Sequence, residues 1–270
     1  MSANEKASIG FLGGGQMAEA LIRGILEAKL FSSQDITVYD VDSLRLQYLA
    51  KTYTVSTTSE PAFFSDTCNN VILAVKPQVI GDVSGLFNQF FDKKKLLISI
   101  MAGVALGALE EYFPQVRRFI RVMPNTPALI LEGASAISIH NDVLEQDRDI
   151  AQKIFSSVGL CIEVKEELLD AVTGLSGSGP GYIFTIIDAL TDGGVLAGLP
   201  RGLAEKLVLQ TMYGSVKLAM KSELCAAELK AQVTSPGGTT IHGIHALEKH
   251  NVRAALMDAV MQATHRAKGN

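Results

Sequence analysis

The sequence predicts an α/β protein: a doubly wound parallel sheet in its first part, followed by an all-helical C-terminal part. Two observations carry this. Short β-branched runs alternate with helical stretches up to about residue 164, and strand signals then stop. A glycine-rich turn directly after the first apolar run adds a third. The expected division is residues 1–164 and 165–270.

In chain order, residues 8–12 read as a strand, 17–29 as a helix and Ile36–Tyr39 as a second strand. Residues 70–75, 96–100, 119–123 and 134–139 are further apolar runs of strand length, each flanked by glycine, proline or charge. Beyond residue 164 helices are expected at 180–197, 200–221 and Val252–Ala267, the first two opened by a proline at the first helical position. The 180–197 stretch carries Ile183, Phe184, Ile186, Ile187, Leu190 and Val195 and has little polar face. Such a helix must be buried. A small helical domain cannot enclose it alone, so it is expected to form a dimer interface. Met212, Met220, Met257 and Met261 are read as core.

Composition narrows the function. A net charge of -4 gives no reason to expect a nucleic-acid or anionic-membrane partner, and the run Lys93, Lys94, Lys95 reads as a solvated loop. No apolar run approaches the ~18 residues of a membrane span. Residues 1–8 are polar and show no signal-peptide pattern. Cys68, Cys161 and Cys225 are odd in number, far apart and without a CxxC, which suits a reducing, cytoplasmic setting. His242 and His245 stand three apart on an expected helix, but no further ligand is apparent at metal-site spacing, so no metal is expected.

The chemistry begins at Gly13-Gly14-Gly15-Gln16-Met17-Ala18, which fits G-x-G-x-x-A between the first strand and first helix. Gly13 permits the tight turn, Gly15 lets backbone approach a diphosphate, and Ala18 keeps the helix against the sheet. The amides of Gln16 and Met17 at the helix start then face the phosphates. This order of elements is the Rossmann-type dinucleotide signature. The second strand ends in Asp40, placed to accept bonds from an adenosine ribose 2′-OH and to repel a 2′-phosphate, which tilts the preference toward NADH. The first basic residue after it is Arg45.

Three more turns are expected at the carboxyl edge of the sheet, where open α/β folds bind ligands. Ala74, Val75, Lys76 and Pro77 end one strand; Lys76 either reaches a phosphate or ribose or is simply solvated. Ala102 and Gly103 follow another, with Gly103 open to a nicotinamide. In Met123-Pro124-Asn125-Thr126-Pro127 two prolines stiffen a loop whose Asn125 amide would hold nicotinamide or substrate; a plain turn is the alternative. In the helical half, residues 174–181 (with Ser178) and 234–240 are glycine-rich breaks. The second, through Ser235, Pro236, Gly237, Gly238, Thr239 and Thr240, offers forward-pointing amides at a helix start, an anion site, or else a helix connection.

Taken together, these motifs make the chain resemble the pyrroline-5-carboxylate reductase family over nearly its whole length. The resemblance rests on IGFLGGGQMA at 9–18, AVKPQ at 74–78, RVMPNTPA at 121–128, TGLSGSGPGY at 173–182, GLPR at 198–201 and VTSPGGTTIHG at 233–243. Gly181 stands where the family commonly has alanine. The resemblance implies NAD(P)H-dependent reduction of the cyclic imine Δ1-pyrroline-5-carboxylate to L-proline, the last step of proline biosynthesis. It implies that residues 235–240 and Ser178 bind substrate, and that Thr240 reaches the ring nitrogen as the catalytic side chain. It also implies homodimers through the C-terminal helices, assembled in many members into rings. The family default is NADPH, from which Asp40 departs. A β-hydroxyacid dehydrogenase shares this architecture but needs a lysine proton donor near its substrate loops, where this chain has glycine, serine and threonine. A non-catalytic dinucleotide sensor would need neither loop.

Overall fold

The computed structural model describes residues 8–269, so the signal-peptide reading of residues 1–8 falls almost wholly outside the described residues. The chain divides into two compact units, one of residues 8–177 with 263–269 and one of Ser178–Gln262.

The first unit is built on one eight-stranded sheet in the order β3-β2-β1-β4-β5-β6-β7-β8. The strands are β1 (Ile9–Leu12), β2 (Ile36–Tyr39), β3 (Ser56–Thr58), β4 (Asn70–Leu73), β5 (Leu96–Ser99), β6 (Arg118–Met123), β7 (Gly133–Ile139) and β8 (Gly159–Glu163). Between them run α1 (Gln16–Glu27), α2 (Ser43–Tyr53), α3 (Pro61–Thr67), α4 (Ile80–Phe87), α5 (Leu106–Tyr112) and α6 (Glu145–Ser156), and α7 (Leu169–Val172) follows β8. β1, β2, β4 and β5 are buried at every position, as expected of parallel strands covered on both faces. Ile9, Phe11, Val38 and Ile72 pack toward α1 and α6 on one face. Leu12, Tyr39, Val71 and Leu73 pack on the other against a row of rings that runs from Phe64 through Phe87 and Phe91 to Phe113.

Several expectations need correcting here. The sheet is parallel except for β6 and β7, which pair antiparallel. The link between them, residues 124–132, is too short for the dozen or more residues of a parallel crossover. β3 and β8, absent from the expected strands, extend the two edges. Lys95 is not solvated: it is buried, and its Nζ donates to the carbonyls of Ser65 and Cys68. Residues 173–177 do not break the helical half, because Thr173–Gly177 continues α7 as a π-helical turn.

The second unit holds α8 (Gly179–Leu196), α9 (Arg201–Lys221), α10 (Ala226–Gln232), α11 (Thr239–Lys249) and most of α12 (Val252–Ala267). Pro180 lies in the first turn of α8 as expected, whereas Pro200 sits one position earlier, at the N-cap of α9. α8 packs on α9, where Gly194 lies against Ala204. In the single chain Thr191 is the one buried residue of α8, and Phe184 is 65% exposed. Met220, Met257 and Met261, expected in the core, are exposed as well. Among the described residues no helix is long and apolar enough to cross a membrane.

Candidate functional site

The carboxyl edge of the sheet is set by register. Leu12 lies beside Leu73, Leu73 beside Ser99, and Ser99 beside Arg121, so β1, β4 and β5 end level with one another. The turns carrying Gly13, Ala74 with Val75, Ala102 with Gly103, and Met123 to Asn125 therefore emerge along one edge. β1 is the switch point: its neighbours β2 and β4 lead away in opposite directions, leaving the crevice where such sheets bind ligands.

Gly13 occupies a position that requires glycine. Its φ is +98°, its amide donates to Tyr39 O at 2.8 Å, and a Cβ there would lie 2.6 Å from the Ala74 carbonyl oxygen. Gly15 is the N-cap of α1 and has no capping side chain, and a Cβ on it would meet nothing within 4 Å. The amides of Gln16 and Met17 in the next half-turn have no helical carbonyl behind them. Open space in front of uncapped amides at a positive helix end fits the diphosphate of a dinucleotide. Ala18 is fully buried, which holds α1 against the sheet.

Asp40 leaves β2 with its carboxylate turned to the glycine turn. Its Oδ2 accepts the Gly14 amide at 2.6 Å and its Oδ1 the Asp42 amide at 3.0 Å; each oxygen keeps a second lone pair. Asp42 in turn caps α2 through the amides of Leu44 and Arg45. Arg45 reaches back from α2: Nε donates to Gly14 O, and Nη2 to Gly15 O and the Glu19 carboxylate. Glu19 also accepts Tyr48 and Tyr53 hydroxyls, each at 2.9 Å. Partial burial would raise the Glu19 carboxyl, but hydrogen bonds from Arg45, Tyr48 and Tyr53 outweigh it and hold the acid below its ordinary range. Burial, and then the bond to Glu19, push Tyr53 up to about 12.

Beside Gly13 and Asp40 opens an apolar cavity of about 290 Å³, walled by Val41, Val75, Val79 and Leu86. Its size and lining suit an adenine ring. Val41, Val79 and Leu86 were not among the residues singled out from sequence. The nearest available signal was their place just after β2 and around the start of α4. A larger cleft, about 820 Å³, lies elsewhere, between α5, the end of β7 and the segment after β8; it holds none of the expected site residues, and its His140–Glu110 and Arg148–Glu163 pairs satisfy each other.

The remaining turns differ in character. Lys76 is exposed ahead of a 3₁₀ turn opened by Pro77. Ala102 and Gly103 form an exposed turn, with Gly103 at φ +73° and no atom nearer than 3.8 Å to a Cβ built on it. Met123 packs on Gly177, and Pro124 is buried. Asn125 is buried and its amide is largely committed: Nδ2 donates to Ser176 O at 3.0 Å and Oδ1 accepts the Ala134 amide at 2.8 Å. One N–H and one lone pair are what it retains for a ligand.

In the second unit, Ser235, Pro236, Gly237 and Gly238 form a turn closed by the Gly238 amide on Ser235 O at 3.1 Å, with Gly237 at φ +66°. Gly238 is the N-cap of α11 and has no capping side chain, so the amides of Thr239 and Thr240 are presented outward, and both residues are exposed. His242, in the same sequence motif but given no role at this loop, has its Nδ1 2.9 Å from Gly238 O. Ser178, half-buried, directly precedes α8. Among the described residues no group of three or more His, Cys, Asp or Glu is placed to hold a metal ion.

A mostly parallel sheet with a glycine turn at its switch point, an acid at the end of the second strand and an adenine-sized cavity beside them define a dinucleotide-dependent oxidoreductase of the Rossmann type. Residues 166–270 match the family described as pyrroline-5-carboxylate reductase dimerisation, and residues 8–103 the family described as NADP oxidoreductase coenzyme F420-dependent. A pyrroline-5-carboxylate reductase of Synechocystis is 43% identical over 96% of this chain and 97% of its own length. Two solved structures are similar throughout. That of the Plasmodium falciparum pyrroline carboxylate reductase with NADP bound has 35% identity, TM-score 0.89 and 99% of each chain covered. That of a Coxiella burnetii pyrroline-5-carboxylate reductase has 34% identity, TM-score 0.90, and 97% and 98% covered. The chain belongs to the pyrroline-5-carboxylate reductase family, and its C-terminal part is that family's dimerisation domain.

Proposed function

We propose that this chain reduces Δ1-pyrroline-5-carboxylate to L-proline with hydride from NAD(P)H, the final step of proline biosynthesis. The observation that carries the reading is a chain with two uncapped helix starts behind glycine turns, at α1 and at α11, each suited to an anion. The first suits a diphosphate and the second a small carboxylate.

When bound, the reduced nicotinamide supplies the hydride, which goes to the imine carbon while the ring nitrogen keeps or gains a proton. The chain's own part is to hold and align. Gly13, Gly15 and the amides of Gln16 and Met17 grip the diphosphate. Asp40 takes the ribose hydroxyls, tilting the choice toward NADH, and Lys76 with Pro77 borders the same edge. The turns of Ala102 with Gly103 and of Met123, Pro124 and Asn125 flank the nicotinamide. The backbone amides around Gly238, Thr239 and Thr240 hold the substrate carboxylate, Ser178 and Ser235 contribute hydroxyls, and Thr240 bonds the ring nitrogen. Alignment of two bound reactants accounts for several of the ~7–11 kcal/mol available to ideal proximity, so no strong acid or base is required. The functional halves are residues 1–164 and 165–270, working as a homodimer through the second and as rings of such dimers. The free Cys68, Cys161 and Cys225 support a cytoplasmic setting.

The test is absorbance at 340 nm. Pyrroline-5-carboxylate should oxidise NADH or NADPH, and Thr240→Ala should lower kcat by roughly 10²-fold or more while leaving cofactor affinity near that of the parent chain. Turnover only with a 2- or 3-hydroxy acid, or no turnover of the imine, would overturn the reading.

A further inference from the structure

We infer that Glu19 determines cofactor specificity by keeping Arg45 bonded to the glycine turn rather than free to meet a 2′-phosphate. The inference rests on the dinucleotide reading given above and adds a residue to it. A 2′-phosphate brought to Asp40 would set a dianion against a carboxylate, so its acceptance requires a cation close by. Arg45 is the first basic residue after Asp40 in the chain, and it is already engaged. Its guanidinium bonds Gly14 O, Gly15 O and Glu19, and stands 5.0 Å from the centre of the Tyr48 ring. Glu19 is itself fixed, because the hydroxyls of Tyr48 and Tyr53 both bond its Oε1 and leave Oε2 to Arg45. The side chains of this pair are only 23% and 20% exposed, so solvent competes weakly for them. The same guanidinium has a second duty. Gly14 is held from both sides, its amide by Asp40 and its carbonyl by Arg45, so an Arg45 that moved to a 2′-phosphate would also release the turn that grips the diphosphate. A 2′-hydroxyl makes no such demand.

Calorimetric titration of NADH and NADPH into the full chain, its Glu19→Gln variant and the Glu19→Gln/Arg45→Gln double variant tests this. In Glu19→Gln the ratio of NADPH to NADH dissociation constants should fall about tenfold, the scale of one charge-assisted hydrogen bond. In the double variant that fall should vanish. Tyr48→Phe loosens Glu19 without changing any charge, keeps the ring under Arg45, and should shift the ratio less but in the same direction. It serves as well if Glu19→Gln does not fold. An unchanged ratio in both single variants overturns the inference. A fall that persists without Arg45 also overturns it, because loss of a negative charge alone would then explain the effect. If the parent chain binds neither cofactor, the dinucleotide reading fails and this inference with it; binding of both with no change in ratio fails the inference alone.

Discussion

Residues at the glycine turn show how far a sequence reaches at the smallest scale. Gly13, Gly15, Ala18 and Asp40 were legible because their placement follows from short-range geometry: a strand, a turn that needs φ +98°, and a helix start. Arg45 was visible only as the nearest cation. Its commitment to Glu19 joins residues 26 apart in the chain and appears only once α1 and α2 lie side by side. Asn125, readable from sequence either as a ligand amide or as part of a plain turn, spends most of its bonding on Ser176 and Ala134 and keeps one N–H and one lone pair. The cysteines carry a prediction at this scale. Burial pushes the Cys68 and Cys161 thiols up to about 11 each. At pH 8 about one molecule in a thousand then has the thiolate at either site, against a quarter or so for an ordinary thiol. Maleimide should leave both unlabelled in the native protein at pH 8 and label both once the chain is unfolded in urea, as read by peptide mass. Native labelling of Cys68 or Cys161 at the rate of a free thiol would contradict the burial.

At the scale of elements, the buried parallel strands were readable as continuous apolar runs, and β2 was read to the residue. Of the two missed strands only β3, Ser-Thr-Thr with no apolar face, lacks that signature; β8 carries a short apolar run, but Leu160 and Ile162 face outward in the single chain and only Cys161 is buried. The direction of β7 is legible in chain length alone, because residues 124–132 are too few for a crossover helix. β7 and β8 run parallel and begin at the pair Gly133 and Gly159, which approach so closely that a Cβ on Gly159 would lie 2.1 Å from Gly133 O. Gly159 also has φ +138°. Gly159→Ala must therefore strain the backbone and pry the strands apart where β8 starts, a loss of about 1–3 kcal/mol or more. A clearly lower urea midpoint, followed by far-ultraviolet circular dichroism, is expected. An unchanged midpoint would mean that β7 and β8 do not meet as described.

The two units bury their apolar residues very differently, and this difference decides the state of the whole molecule. The first has a core on both faces of its sheet, whereas in the second Thr191 and Ala204 are the buried residues of the two longest helices. Ile183, Phe184 and Leu190 on α8 and Leu203, Leu207 and Val216 on α9 stay in contact with solvent in the single chain. Each such side chain gains roughly 1.5–3 kcal/mol when fully covered, and a soluble monomer rarely leaves so large an apolar area bare. Sequence alone placed an apolar-all-round helix here, and its bare surface in one chain is what a helix kept for a second copy would show. Residues 166–270, which include α8 and α9, match a dimerisation domain. Sedimentation velocity at micromolar concentration should give a dimer or larger. Phe184→Asp together with Leu190→Asp places two charges where the partner would bury them, and should yield single chains or aggregate while NADH still binds to whatever remains soluble. A parent chain that sediments as a stable monomer, or a double variant that stays fully dimeric, would remove α8 from the interface.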